Sequence, residues 1–310
     1  MRVHSGNAFL MRPCSISNRA AVSVTYAYLN GSFLPLEEAH VSVMDRGFLF
    51  GDGVYEVIPV YGNRLFRLAH HLKRLQNSLD AVRISNPLAD DEWENILAEL
   101  IKRNSGSDQA VYLQVTRGVA ARRDHAFPED TSPTVFAMST PVPASVDIAS
   151  IAGIRAITLE DNRWKHCNIK AITLLPNVML RQEAIDAGTA EAILIKEGFA
   201  IEGAASNIFI VSDGILITPP NGPALLPGIT RDLILELAAN NAIPYREADI
   251  PLDELLSADE IWLTSSTREI SPVIRLDDRT VGEGSPGPVW KRMISLYQDY
   301  KEALRAGRAD

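Results

Sequence analysis

Lysine is scarce in this chain: only seven of its 30 basic residues are lysines, and two of those fall in the run Arg163-Trp164-Lys165-His166-Cys167-Asn168-Ile169-Lys170. A lysine amine attacks only when deprotonated, so a catalytic one needs desolvation or neighbouring positive charge to lower its pKa. Arg163, Lys165 and His166 are the sequence neighbours able to supply such charge. Lys165 and Lys170 stand five apart, which on a strand would turn them to opposite faces, one toward a site and one toward water. Read alone, the run is explained more simply by an ordinary surface lysine.

Three other groups suit anion or cation chemistry. Leu226-Pro227-Gly228-Ile229-Thr230-Arg231 leads into an apolar-periodic helix. There glycine permits close backbone approach, and free N–H groups at a helix start favour an anion. Thr264-Ser265-Ser266-Thr267 is a second donor-rich turn, following a strand. Plain N-capping and turn chemistry account for either one taken singly. At Ile201-Glu202-Gly203-Ala204-Ala205-Ser206-Asn207 a carboxylate sits among apolar and small residues. A buried glutamate needs a cationic partner, for which a protonated pyridine nitrogen would serve; an exposed turn glutamate is the alternative.

The elements that must position these residues follow from patterning. Val24–Leu29 alternates as a strand and runs into Asn30-Gly31, a strong hairpin signal. Val54–Val60 reads as a buried strand that turns at Gly62-Asn63 into Arg64–Leu68. Leu72, Leu75, Leu79 and Val82 recur at helical spacing, and Asp91–Arg103 makes a second amphipathic helix after Asn86-Pro87. Strands at Ala110–Arg117 and Val135–Thr140 flank a charged loop, and the proline-rich segment 141–145 is the best linker candidate. Beyond it, strands at Ile154–Leu159, Ala192–Ile195, Asn207–Val211, Ile215–Thr218 and Ile261–Thr264 alternate with helices at Val178–Ala187, Arg231–Asn240 and Val289–Leu304. The expected organisation is an N-terminal extension over 1–23, a smaller α/β domain over 24–141, a linker at 142–148, and a larger α/β domain over 149–310.

Composition bounds the function. The chain has 310 residues and a formal net charge of −9, with 46% apolar and 22% charged residues. That acidity, without a basic run, argues against nucleic acid and anionic membrane as partners. No glycine-rich dinucleotide or Walker loop follows a strand, which speaks against NAD and nucleoside triphosphates. Cys14 and Cys167 make neither a disulfide framework nor a metal cluster, so no metal is expected and a reducing cytoplasm suits the chain. Residues 1–23 carry Arg2, Arg12 and Arg19 but no carboxylate, which reads either as transit-peptide-like or as an upstream start.

Taken together and in order, six motifs resemble the class IV aminotransferases. They are Phe50-Gly51-Asp52-Gly53-Val54-Tyr55-Glu56, His70-His71-Leu72-Lys73-Arg74-Leu75, Lys170, Glu202-Gly203, Gly228-Ile229-Thr230-Arg231 and Ser265-Ser266-Thr267-Arg268-Glu269-Ile270. The match runs from about Tyr26 to about Leu304. The family includes D-amino-acid aminotransferase, branched-chain aminotransferase and aminodeoxychorismate lyase.

The resemblance implies a mixed α/β fold of two domains, with pyridoxal 5'-phosphate between them. Lys170 would hold the cofactor as a Schiff base and shuttle a proton, while Glu202 would hydrogen-bond the pyridine nitrogen. Arg74, Ile229, Thr230 and Ser266 would hold the phosphate. Arg123 and His125, an Arg-x-His pair in the loop after Arg117, together with Tyr55, would bind the substrate carboxylate as in D-amino-acid aminotransferases. In the family this loop reaches the site of a partner subunit, which implies a homodimer. The implied reaction moves an amino group from a D-amino acid such as D-alanine to a 2-oxo acid such as 2-oxoglutarate. Branched-chain or (R)-amine transamination and aminodeoxychorismate lysis are the alternatives. Two departures stand out: the loop is one residue longer than the family pattern, so Arg122 competes with Arg123, and Ala205 stands where many relatives carry a hydroxyl.

Overall fold

The computed structural model describes residues 25–142, 148 and 151–310. The expected N-terminal extension, with Cys14, lies outside the described residues, as does most of the expected linker. The first sheet begins with β1 (Tyr26–Leu29) and β2 (Ser32–Pro35), joined as expected through Asn30-Gly31, both at positive φ. A short helix follows, α1 (Arg46–Phe50), capped by the Asp45 side chain at one end and by left-handed Gly51 at the other. Then come β3 (Gly53–Tyr61), β4 (Arg64–Leu65), α2 (Leu68–Ala81), α3 (Asp90–Arg103), β5 (Gln109–Thr116) and β6 (Thr134–Pro141). The strand order is β2-β1-β6-β5-β3-β4, antiparallel throughout. Leu72, Leu75 and Leu79 of α2 and Trp93, Leu97 and Leu100 of α3 pack on Val54, Ile58, Val111 and Leu113 of the strands.

Arg64–Leu68 is a two-residue strand rather than the longer one expected. Arg67 adopts a left-handed φ of 48°, which breaks the strand and turns the chain into α2.

The second sheet draws on a separate length of chain. Its elements in order are β7 (Ile154–Glu160), α4 (Leu175–Asp186), β8 (Glu191–Lys196), β9 (Phe199–Gly203), β10 (Asn207–Ser212), β11 (Ile215–Thr218), α5 (Ile229–Asn240), β12 (Tyr245–Glu247), β13 (Ile250–Pro251), α6 (Leu252–Ser257), β14 (Glu260–Ser265), β15 (Glu269–Leu276), β16 (Arg279–Thr280) and α7 (Pro288–Arg305). The order is β12-β11-β10-β14-β15-β7-β8-β9-β13, with β16 on β15. Strands β8, β10 and β14 are buried along almost their whole length because both faces are covered. Phe209 and Trp262 meet Leu233, Trp290 and Met293 of α5 and α7 on one face, while their neighbours Ile208, Ile210, Ile261 and Leu263 join Leu255 of α6 on the other. No helix among the described residues is long and apolar enough to cross a membrane.

One irregular segment ties the two sheets together. Tyr55 N donates to Lys170 O at 2.9 Å, and Ala171 forms an isolated antiparallel bridge with Val54. Lys170 therefore sits where β3 of the first sheet meets the chain leaving β7 of the second.

Candidate active site

A cavity of about 420 Å³ opens beside that junction, lined among others by Tyr55, Arg74, Lys170, Glu202, Thr230 and Ser266. The residues from 161 to 170 form no strand. Their backbone N–H groups are satisfied partly within the segment and partly by distant elements instead: Arg163 N donates to Asp161 Oδ1, Cys167 N to Pro223 O, and Lys170 N to Ser78 Oγ. Lys165 and His166 are exposed, and the expected strand alternation does not apply.

Burial, reinforced by the Arg74 charge, pushes the Lys170 amine down to about 8, with Glu56 and Glu202 working the other way. The cationic help thus comes from Arg74, remote in sequence, rather than from the neighbours expected to supply it. Arg163 is already committed, its guanidinium shared between Asp161 and Glu202. The Lys170 Nζ stands 4.4 Å from the Tyr55 ring centroid.

Glu202, on β9, is buried, and its cationic partner is Arg163, whose Nη1 donates to Oε1. Asn207 Nδ2 and Leu226 N donate to Oε2 at 3.2 and 3.1 Å. Burial pushes this carboxyl above its ordinary value, against the pull of the Arg163 charge. A carboxylate has about four acceptor positions, and three are used here. One remains for a donor from the cavity.

Arg74, on α2, is held by a bidentate pair with Glu56 of β3, at 2.8 and 2.7 Å, and its Nη1 donates to Pro227 O at 2.9 Å. His71 Nδ1 completes the buried cluster at 2.8 Å from Glu56. Burial depresses the His71 imidazole, so it stays neutral and donates from Nδ1. Burial would raise the Glu56 carboxyl, but Arg74 and His71 hold it well below the usual carboxylate range. Three of the five guanidinium N–H groups of Arg74 are used, which leaves two. Sequence reading passed over Glu56 and His71 as chemistry, although a buried arginine demands such a counter-charge.

The turn at Pro227-Gly228 starts α5, and Gly228 offers no side-chain cap to the free N–H groups behind it. A Cβ at Gly228 would lie 1.9 Å from Asn207 Oδ1, so a side chain there would have to displace Asn207, whose Nδ2 donates to Glu202. Ile229 and Thr230 occupy the first turn, and Thr264 Oγ1, of the same cavity lining, is buried with no hydrogen-bond partner among the described residues. The expected phosphate-site residues Arg74, Ile229, Thr230 and Ser266 all line this one cavity.

Arg123 and His125 are not among the lining residues. Both are exposed on the loop between β5 and β6, and both pack at Phe50: the Arg123 Cζ lies 4.9 Å from its ring centroid and the His125 ring 5.3 Å. Arg122 turns outward, its side chain 86% exposed and 3.6 Å from Asp124.

The profile of the family Amino-transferase class IV matches residues 53–276. The chain belongs to this family. It is 40% identical over 270 residues to the D-alanine aminotransferase of Bacillus licheniformis, covering 87% of this chain and 95% of that protein. Identity to the D-alanine aminotransferase of Listeria monocytogenes is 37% over 278 residues, covering 89% and 95%. Among solved structures, the branched-chain amino acid aminotransferase from Escherichia coli superposes with a TM-score of 0.83 at 30% identity, covering 93% of this chain and 96% of that one. The mixed α/β architecture expected for a class IV aminotransferase is the one observed, and the chain is an aminotransferase.

Proposed function

We propose that this aminotransferase moves the amino group of a D-amino acid such as D-alanine to a 2-oxo acid such as 2-oxoglutarate, with pyridoxal 5'-phosphate in the cavity beside Lys170. The cavity's own features fit that cofactor. The α5 N-terminus and the spare N–H groups of Arg74 suit a phosphate, and the Thr264 hydroxyl, without a partner among the described residues, lines the same cavity. Glu202 has an acceptor position left for a ring N–H. When bound, the cofactor supplies an aldehyde that holds amino groups covalently and a protonated ring that draws electrons from the substrate carbon.

The protein's part is positional and protolytic. Arg74, Ile229, Thr230 and Ser266 hold the phosphate end, and Glu202 keeps the proton on the ring nitrogen. Lys170, with its amine at about 8, reaches its neutral form readily; it would secure the cofactor and then carry the proton from the substrate's α-carbon to the cofactor carbon that bore the aldehyde, which leaves the amino group on the cofactor when the 2-oxo acid departs. Tyr55 flanks the lysine and narrows the space on that side.

The observation that carries the D-amino-acid reading is the pairing of Arg123 with His125 at Phe50, which makes a cationic and hydrogen-bonding clamp for a carboxylate. The two D-alanine aminotransferases support it, being nearer in sequence than the branched-chain enzyme. Because the clamp lies outside the chain's own cavity lining, we propose a homodimer in which each loop serves the partner's site. Exposed Phe48, Trp164, Leu175, Val178 and Met179 support a face covered by a second copy. Segments 24–141 and 149–310 are the two domains of this reading. With 2-oxoglutarate as acceptor, D-alanine should yield pyruvate far faster than L-alanine. Preference for L-amino donors overturns the D-specific reading in favour of branched-chain chemistry, and repeated pyruvate release from aminodeoxychorismate without any 2-oxo acid would identify a lyase.

A further inference from the structure

The sequence Asp45-Arg46-Gly47 has no part in the proposed cofactor site, yet it organises the loop that bears Arg123 and His125. Asp45 joins the loop's two ends. Its Oδ2 accepts from Thr116 Oγ1 at the end of β5 and from Thr134 Oγ1 at the start of β6, at 3.1 and 2.6 Å. Its Oδ1 caps Gly47 N at 2.7 Å. Arg46 N donates to Gly118 O and Ala120 N to Met44 O, which closes the base of the loop. At Gly118, with φ of 98°, a Cβ would fall 1.9 Å from Ser132 O, so the two arms of the loop touch there.

The tip depends on one side chain. Arg46 is buried, and its Nη1 donates to Asp124 O at 2.6 Å and to Ala126 O at 3.2 Å, while Nη2 donates to His125 O at 3.2 Å. Its Nε is fixed by Asp52 Oδ2 at 2.7 Å. Burial would raise the Asp52 carboxyl, but Arg117 and Arg46 beside it keep it below its ordinary value, so the anchor stays charged. The Arg46 Cζ also lies 4.9 Å from the Phe50 ring centroid, the ring that Arg123 and His125 adjoin. A single guanidinium thus fixes three successive carbonyls and one end of the aromatic cushion. A planar fork can do this and an ammonium cannot.

We infer that Arg46, through Asp52 and Phe50, is the positioning residue that sets Arg123 and His125 for the substrate carboxylate. This rests on the carboxylate clamp proposed above. Arg46 touches neither cofactor nor substrate in this role; it determines the register of the backbone that presents the clamp.

The test uses the holoenzyme with D-alanine and 2-oxoglutarate. In Arg46→Lys, KM for D-alanine should rise roughly 10-fold or more with kcat little changed, because carboxylate binding is what loosens. The dissociation constant of pyridoxal phosphate should stay the same. Trypsin should cut selectively after Arg122 and Arg123, whereas general destabilisation would open many sites. Combined with Arg123→Ala, the Arg46 change should add less than its separate loss, since only the His125 half of the clamp is left for it to position. Multiplying losses in the double variant, or an unchanged KM in Arg46→Lys, overturn the inference. If Arg123→Ala and Arg122→Ala both keep the wild-type KM, the clamp reading itself fails, a result separable from the other two. Should Arg46→Lys not fold, Phe50→Leu leaves the Asp52 pairs intact and carries the test: KM should again rise, and an unchanged value overturns the role.

Discussion

Around Lys170 the buried charges meet partners from other elements: Glu56 of β3 pairs with Arg74 of α2, and Glu202 of β9 with Arg163. The loop between β5 and β6 is built differently, with exposed charged side chains and a backbone gripped from beneath by Arg46. The difference bears on how each region responds to change. Truncating one partner of a buried pair strands the other at a cost of about 3–5 kcal/mol, so effects near the lysine spread. A side chain lost from the loop tip removes its own contact and little else. The rigid half of the site suits a permanent occupant, and the presented half suits a ligand that comes and goes.

The comparison would break most visibly at Lys170. Lys170→Ala should abolish turnover while leaving the wall of α5 and Arg74 able to take up free cofactor through its phosphate. Borohydride trapping followed by peptide mapping checks the assignment, and label on Lys165 would show that the wrong lysine has been placed at the centre.

Arg74→Ala comes next in size. Loss of a charge-assisted phosphate contact is worth about 1.5–3 kcal/mol, so the dissociation constant of the cofactor should rise roughly 10–150-fold. Donor preference should stay the same, because the clamp lies elsewhere. Glu56 would also be left buried and unpaired, so the melting temperature should fall in parallel. An unchanged cofactor affinity would show that Arg74 only neutralises Glu56.

Long periodic elements were legible from residues alone: α2, α3, α5 and α7 fall within a few residues of where apolar spacing puts them. The five residues of α1 are too few for periodicity, and only Asp45 before it and Gly51 after it signal its presence. Strand β9 escaped because its hairpin turns at Glu197-Gly198, both at positive φ, rather than at an Asn-Gly or Asp-Gly pair. Strand β15 carries Pro272 and Arg275, which interrupt the alternation. In the site, the motif residues were readable because each has distinctive chemistry. The partnership of Arg163 with Glu202 was not, since it depends on where an irregular loop folds back. Arg46 stayed hidden for the same reason: its partners are backbone carbonyls 78 to 80 residues away, which carry no sequence signal.

A smaller effect sharpens the electrostatic account of the rigid half. Only the neutral lysine can attack the cofactor aldehyde, and burial with the Arg74 charge places the amine at about 8. At pH 7 about a tenth is neutral and at pH 8 about half, so apoprotein should capture cofactor roughly fivefold faster at the higher pH. Stopped-flow absorbance between pH 6.5 and 9 checks this. Arg74→Ala should move the profile to higher pH, because a charge that disfavours the ammonium is gone. A flat profile in the wild-type protein would show that the lysine is not the titrating group.

The smallest expected effect decides the register of the loop. The extra residue leaves Arg122 and Arg123 as rivals for the carboxylate, and the geometry separates them. Arg122 is 86% exposed and paired with Asp124 at 3.6 Å, a surface contact of the kind worth about 0–1 kcal/mol. Arg123 packs at Phe50 beside His125, on backbone that Arg46 holds. Arg122→Ala should therefore leave kcat/KM for D-alanine within about twofold of wild type, the change that a lost surface pair would allow. Arg123→Ala, by contrast, should lose about 2–5 kcal/mol of transition-state binding. If Arg122 carries the large loss instead, the clamp survives with its register shifted by one, and packing at Phe50 is then not what selects the arginine.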